Sequence, residues 1–356
     1  MADKVYTAAS PSLALVKYWG KADAERNLPA TTSLGVTLAG LETRTAVSIL
    51  EPGNGATTDR AAEPTDQVTL NGAAQPTARF APFFDHLRSS LSIDYRFLVE
   101  SYNTFPTAAG LASSSSGFAA LALGCSVAAG AEGWARAPET ISALALRGSA
   151  SASRAVYEGF TLLPAGAERA SPLFRADHWP DLRILAVATT TAAKAVSSRA
   201  GMTRSAETSP YYSAWVADSA RLAEEVRESV ASRDIERLGA AMRLSYLRMV
   251  GTMISADPPF MYWLSDSIQG IRACEELRKS GIAAWETMDA GPQVKILTTT
   301  ADLDTVRRAV VDALPTAETY ETRPGAGARM ITEREYTAGD HGDQAEAGGE
   351  QPEGHA

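Results

Sequence analysis

Apolar and β-branched positions crowd the first third of the chain in short runs. "SLALVKYWG" (residues 12–20), "SLGVTLAGLETRTAVSIL" (33–50) and "QVTLNG" (67–72) are continuous or alternating, the pattern of strands, and Asn71-Gly72 marks a tight turn. "EPGNGATTDRAAEPTD" between them is a loop. From Ser116 the spacing changes to 3.6: Phe118, Leu121 and Cys125 share one face, which predicts helices over Gly117–Ala129 and then over Glu139–Arg147. Leu182–Ala188 is an aliphatic run typical of a buried strand. A long helical region covers Tyr211–Ser255 and breaks at "DPPF", and a further helix runs from Trp263 to Lys279. "AAWETMDAGPQVKILTT" reads as strand, Gly-Pro turn, strand, and "ADLDTVRRAVVDAL" as a helix. No internal repeat of fixed period is present. Strands first and helices later indicate an α+β protein, and 356 residues suggest two domains or one two-lobed unit with a cleft.

From about Ile331 the pattern ends. "TEREYTAGDHGDQAEAGGEQPEGHA" has almost no aliphatics, so residues 333–356 are expected to form a disordered acidic tail. The division expected is 1–185, 186–332 and this tail.

Composition adds exclusions. With 45% hydrophobic and 21% charged residues the chain is an ordinary globular protein, and a net charge of −9 argues against a nucleic-acid partner. The longest apolar stretch, Phe118–Ala131, is too short and too rich in Gly and Ala to cross a bilayer. The N-terminus lacks the apolar core of a signal peptide, and Cys125 and Cys274 sit in apolar helical patterns as buried reduced thiols, which together imply a cytoplasmic protein. The four histidines have no ligand spacing, so no metal ligand is assigned.

Chemistry concentrates in four segments. "NTFPTAAGLASSSSGFAALAL" (103–123) combines a proline, two glycines and four consecutive serines ahead of a helix. Small residues let backbone N–H groups approach a charged guest, and a helix N-terminus favours an anion there, above all phosphate. The others are "LVKYWGK" (15–21), "GSASASR" (148–154) with "SSRAGM" (197–202), and "TMDAGP" (287–292). Taken singly, Lys17 and Lys21 also read as solvated strand-end lysines, the arginines as surface ion-pair partners and Asp289 as a turn cap. Together they suit a polyanionic substrate and a nucleotide.

These segments, in order from about Ala8 to Leu297, resemble the diphosphomevalonate decarboxylases of the GHMP kinase superfamily; KYWGK and FPTAAGLASS are the most specific matches. The resemblance implies a GHMP kinase fold, with a ribosomal-S5-like N-terminal lobe, a ferredoxin-like C-terminal lobe and the active site between them. It implies that ATP and Mg2+ drive phosphorylation of a tertiary 3-hydroxyl, followed by loss of phosphate and CO2 to give isopentenyl diphosphate. It further implies a homodimer.

Carried over by motif, Asp289 and Lys17 are the catalytic pair. Tyr18, Lys21, Ser149, Ser151, Arg154, Ser198, Arg199 and Met202 bind substrate, and Gly110, Ser113, Ser114 and Gly117 hold the nucleotide. The chain departs from the family pattern at Ser12, Thr31, Thr32, Gln293 (asparagine or an Asn-Ser pair in the pattern) and Val250 (histidine in the pattern), which bears on substrate identity more than on reaction type. Alternatives of the same fold are decarboxylation of mevalonate 5-phosphate or another phosphorylated 3-hydroxy acid, 3-phosphorylation alone, and a ligand sensor without turnover. The presence of both Lys17 and Asp289 favours full decarboxylation.

Overall fold

The computed structural model describes residues 4–50, 65–105, 113–190 and 196–338. A six-stranded sheet has the order Arg329–Met330, Val5–Ala9, Thr43–Leu50, Arg96–Asn103, Gln67–Leu70, Ala73–Ala74. A four-stranded sheet follows the order Ser171–Phe174, Phe160–Leu163, Ser33–Thr37, Ser12–Val16. The stretch 33–50 therefore supplies one strand to each sheet. Helix Ser113–Ala128 lies on the first sheet, where Phe118 and Leu121 join Phe83, Phe84, Phe97 and Val99 in one core.

The third sheet, in the order Trp285–Thr287, Val294–Thr299, Leu182–Ala188, Glu318–Thr322, is antiparallel throughout. One face packs Leu185, Val187, Val294 and Ile296 against Ile271, Val306 and Val310 of the helices Ser265–Lys279 and Leu303–Ala313. The opposite face carries Ile184, Ala186 and Leu297 into a core shared with Leu13, Leu15, Leu34 and Val36 of the second sheet. Leu222, Val226, Leu238 and Met242 complete that shared core, so strand Ser12–Val16 runs directly into the junction between the lobes.

The expected helical region over Tyr211–Ser255 consists of two helices, Tyr212–Ser232 and Ile235–Ile254. Arg233 takes a left-handed conformation (φ 57°) and the Asp234 carboxylate accepts from Arg237 N (3.0 Å), capping the second helix. Helix Ala81–Leu91, strand Arg96–Asn103 and helix Ser198–Thr208 were not evident from periodicity.

The end of the chain departs from the expected division. Strand Glu318–Thr322 is the last element of the third sheet, after which the chain returns to the first lobe. Gly325 N donates to Thr37 O (2.7 Å), Ala328 N to Val156 O (3.1 Å), and Arg329–Met330 pairs with Val5–Ala9. Residues 333–337 are not a disordered tail but a helix with a capping box, Thr332 and Glu335 bonding each other's backbone N–H. Tyr336 packs its ring on Tyr6 and Tyr102 (centroids 5.2 and 5.1 Å) and donates to Glu100 O. Counting aliphatics missed this helix because tyrosine rings dock it. A chain ending at Thr332 is expected to be on the order of 2 kcal/mol less stable than one ending at Ala338, which thermal melts of the two would reveal; equal melting temperatures would contradict the docking.

Candidate active site

Lys17 follows the buried strand Ser12–Val16, and its own backbone N–H is held by Ser245 Oγ (2.9 Å) of helix Ile235–Ile254. Its side chain is 1% exposed; Nζ donates to Ala14 O (2.6 Å) and to Asp289 Oδ1 (3.1 Å). Burial pushes the Lys17 ammonium below its ordinary pKa of 10.5, and Asp289 opposes that shift.

Asp289 lies in the turn between strands Trp285–Thr287 and Val294–Thr299, with its side chain 32% exposed. Gly291 adopts φ +98°, which favours glycine, and an added Cβ would stand 3.2 Å from Tyr262 and 3.4 Å from Trp263. Ser267 Oγ donates to Pro292 O (2.7 Å), so the turn is clamped from the segment that opens helix Ser265–Lys279.

Arg154 lies in the short helix Ala152–Ala155 and is 1% exposed. Its Nη1 donates to Ser33 Oγ (2.7 Å) and its Nε to Ser12 Oγ (3.4 Å), which fixes the plane of the guanidinium. Burial lowers its pKa to about 10, against the attraction of Asp289 and Tyr18. Gly35 makes the room: a Cβ there would stand 2.8 Å from Arg154 Nε and 2.7 Å from Ser12 Oγ.

A second cationic group adjoins. Tyr18 is pushed up by burial and held back by Arg154 and Arg199; Lys21 is pushed down by burial and by Arg199. Arg199 and Ser198 are exposed on the first turn of helix Ser198–Thr208, capped by Ser197 Oγ (3.2 Å to Ala200 N). That helix docks through Gly201, Ser205 and Met202. Trp19 Nε1 donates to Ser205 Oγ (3.0 Å), and Met202 packs on the cluster of Trp19, Trp215, Met249 and Tyr262. That cluster includes Ala290, the residue after Asp289. Ser149 and Ser151, both half-buried, hydrogen-bond each other (2.9 Å) just ahead of Arg154.

Ser113, Ser114 and Gly117 line a separate cavity of about 340 Å³ with Asn71, Phe80 and Arg79. An added Cβ on Gly117 would meet nothing within 4 Å, so this side of the helix start is open to a ligand. Ser115 and Ser116 turn inward instead, Ser115 Oγ accepting from Ser12 N (3.0 Å) and Ser116 Oγ bonding Thr43 Oγ1 (2.6 Å). Gly110 lies outside the described residues.

Two family models cover nearly all of this architecture. The diphosphomevalonate decarboxylase-like N-terminal domain matches residues 9–173, and the mevalonate 5-diphosphate decarboxylase C-terminal domain matches 184–346. The diphosphomevalonate decarboxylase of Gibberella zeae is 32% identical over 87% of this chain and 86% of its own, and that of Bos taurus 32% over 83% and 76%. The chain belongs to the diphosphomevalonate decarboxylase family. Among solved structures, mevalonate diphosphate decarboxylase from Staphylococcus aureus is 31% identical with TM-score 0.84, covering 93% of this chain and 99% of that one. A structure described as MDDEF in complex with MVAPP, AMPPCP and magnesium is 34% identical with TM-score 0.83, over 92% and 98%. The fold is accordingly that of the GHMP kinases, α+β.

The family pattern also locates the departures. Ser12 contacts Arg154; Thr31 Oγ1 donates to Lys17 O (3.4 Å); Gln293 bridges Thr189 N (2.6 Å) and Thr190 O (2.5 Å). Val250 is in the core beside Tyr246 and Met288. Sequence reading overlooked Ser33 and Ser245, which hold Arg154 and Lys17, and Lys295, whose Nζ is 3.9 Å from Asp289 Oδ2. A lysine inside the otherwise apolar strand "VKIL" was the available signal for the last.

Proposed function

We propose that this chain carries out the ATP- and Mg2+-dependent decarboxylation of mevalonate 5-diphosphate to isopentenyl diphosphate. The observation that carries the reading is the Lys17–Asp289 pair at the junction of the two lobes, in a chain of this family. The nucleotide fits the cavity at the start of helix Ser113–Ala128, where Ser113, Ser114 and the open backbone at Gly117 offer hydrogen bonds and the helix dipole favours phosphate. Magnesium is taken to be held largely through phosphate oxygens and water. ATP supplies the phosphoryl group and magnesium neutralises its charge.

Asp289, half-open to the cleft, accepts the hydrogen bond of the substrate 3-hydroxyl and takes its proton as the oxygen is phosphorylated. Lys17, already bonded to Asp289, stabilises the negative charge that develops on that oxygen. Loss of phosphate breaks the C–O bond, and the electron pair of the carboxyl C–C bond forms the alkene as CO2 departs. Arg154, with its plane set by Ser33 and Ser12, holds the substrate carboxylate in its fork. Tyr18, Lys21 and Arg199 take the 5-diphosphate, and Ser149, Ser151 and Ser198 border that pocket. The proposed setting is the cytoplasm, where the buried free thiols Cys125 and Cys274 stay reduced, and the working form a homodimer.

Arg154→Lys is expected to raise KM for the phosphorylated substrate about tenfold or more with a smaller change in kcat, because a point charge loses the second parallel bond. Unchanged KM would contradict the role. Because Lys17 titrates below 10.5, activity that needs its ammonium is expected to decline on the alkaline side before an ordinary lysine would lose its proton. A kcat profile flat through that region would remove Lys17 from the reaction. The function itself is tested by kcat/KM for mevalonate 5-diphosphate against mevalonate 5-phosphate: the diphosphate is expected to be preferred, and preference for the monophosphate would move the assignment to that substrate.

A further inference from the structure

Strand Val294–Thr299 is buried along its length and paired on both sides. Val294 and Ile296 face the helices of the second lobe while Leu297 faces the core between the lobes, so the two-residue period puts Lys295 on the inter-lobe face with Leu297. Lys295 is 2% exposed, its Nζ lying 3.5 Å from Gln293 O and 3.9 Å from Asp289 Oδ2. Asp289 thus stands between two buried ammonium groups, Lys17 at Oδ1 (3.1 Å) from the first lobe and Lys295 at Oδ2 from the second, with Arg154 also within electrostatic reach. An ammonium taken from water into such a site carries a desolvation cost that an ion pair with a partly open carboxylate seldom offsets. Stability alone therefore gives little reason to place a lysine there.

We propose that Lys295 is a positioning residue for the reaction: it holds Oδ2 of Asp289 and keeps the carboxylate ionised, leaving Oδ1 directed at Lys17 and the reacting hydroxyl. The proposal rests on the assignment of Asp289 as the group that accepts the hydroxyl proton. Lys17 alone would fix only one oxygen, and would be drawn away from Asp289 as charge develops on the substrate. Lys295, rooted in a central strand and facing the other carboxylate oxygen, Oδ2, keeps its hold throughout. The Gln293 backbone that Lys295 contacts is itself fixed by the Gln293 side chain at Thr189 and Thr190, so the arrangement is built from one sheet.

The test titrates the Asp289 side-chain carboxyl by 13C NMR in the full chain, its signal assigned by loss in Asp289→Asn. Lys295→Met is expected to raise the titration midpoint by about one pH unit or more, and Lys295→Arg to leave it near wild type. Where the reaction runs on the acid limb, kcat of Lys295→Met falls about tenfold for every pH unit by which that midpoint rises, with KM for nucleotide little changed. Superimposable titrations of wild type and Lys295→Met would overturn the proposal, as would lost kcat with an unmoved acid limb. Should Lys295→Met fail to fold, Lys295→Gln is titrated under the same criteria. The NMR titration needs no turnover, so a wild type inactive on mevalonate 5-diphosphate would overturn the functional reading and leave the Lys295 result standing.

Discussion

Asp289→Asn is expected to lower kcat by about 10²- to 10⁴-fold, while substrate and nucleotide still bind within a few-fold of wild type. The amide keeps the shape of the carboxylate and cannot take a proton from the 3-hydroxyl. It also leaves Lys17 and Lys295, both almost fully buried, without their shared anion. Two uncompensated ammonium groups disfavour each other, so Lys17 is expected to lose its proton at still lower pH in this variant. Binding persists because Arg154 is held by Ser33 and Ser12 and does not rely on Asp289 for its position. Product formation within tenfold of wild type would remove Asp289 from the reaction.

Glu286→Gln is expected to cost about 3–5 kcal/mol of folding stability, the penalty for breaking a buried charge cluster by one member. Glu286 is fully buried in strand Trp285–Thr287 and bonds Arg243 (2.6 Å), Tyr246 OH (2.9 Å) and Arg278 (2.5 Å). Arg243 also meets Glu275 (2.7 Å), and Arg278 lies over the Trp285 ring at 4.7 Å. The amide would leave Arg278 without its carboxylate partner and Arg243 with Glu275 alone. Because native domains are stable by only about 5–15 kcal/mol, the loss is a large fraction of the whole, and urea unfolding would measure it. A change under about 1 kcal/mol would mean that the cluster is replaceable. The effect reaches the site as well. Glu286 precedes Asp289 by three residues, and Tyr246 adjoins Ser245, which holds the Lys17 backbone.

What the sequence disclosed and what it withheld divide along the range of the contacts. KYWGK, the serine run and MDAGP carry their chemistry in adjacent residues, so Lys17, Ser113 and Asp289 stood out without any fold. The supports of those groups come from distant positions. Ser33 reaches Arg154 across 121 residues and Ser245 reaches Lys17 across 228. Neither serine has a local pattern to distinguish it. Lys295 looked like a single polar interruption in an aliphatic strand, and only the turn that folds Asp289 back over that strand gives it a partner.

Elements were legible where one period persisted, as in helix Leu303–Ala313, with Leu303, Val306 and Val310 buried. They were missed where docking is done by rings or small residues, as with Tyr336 in helix Glu333–Thr337 and Gly201 in helix Ser198–Thr208. Met202 takes part in the docking of that second helix. Its neighbours Trp19 and Tyr262 come from distant segments, so this packing had no local signal in the sequence.

The central claim is that one site carries both halves of the reaction, phosphorylation assisted by Lys17 and Asp289 and then decarboxylation. The most direct measurement is a single turnover of mevalonate 5-diphosphate with ATP and magnesium on the purified chain, with ADP and CO2 quantified from the same sample. Equal amounts of the two products are predicted. ADP formed without CO2 would contradict the account and leave a kinase that stops at the 3-phosphate.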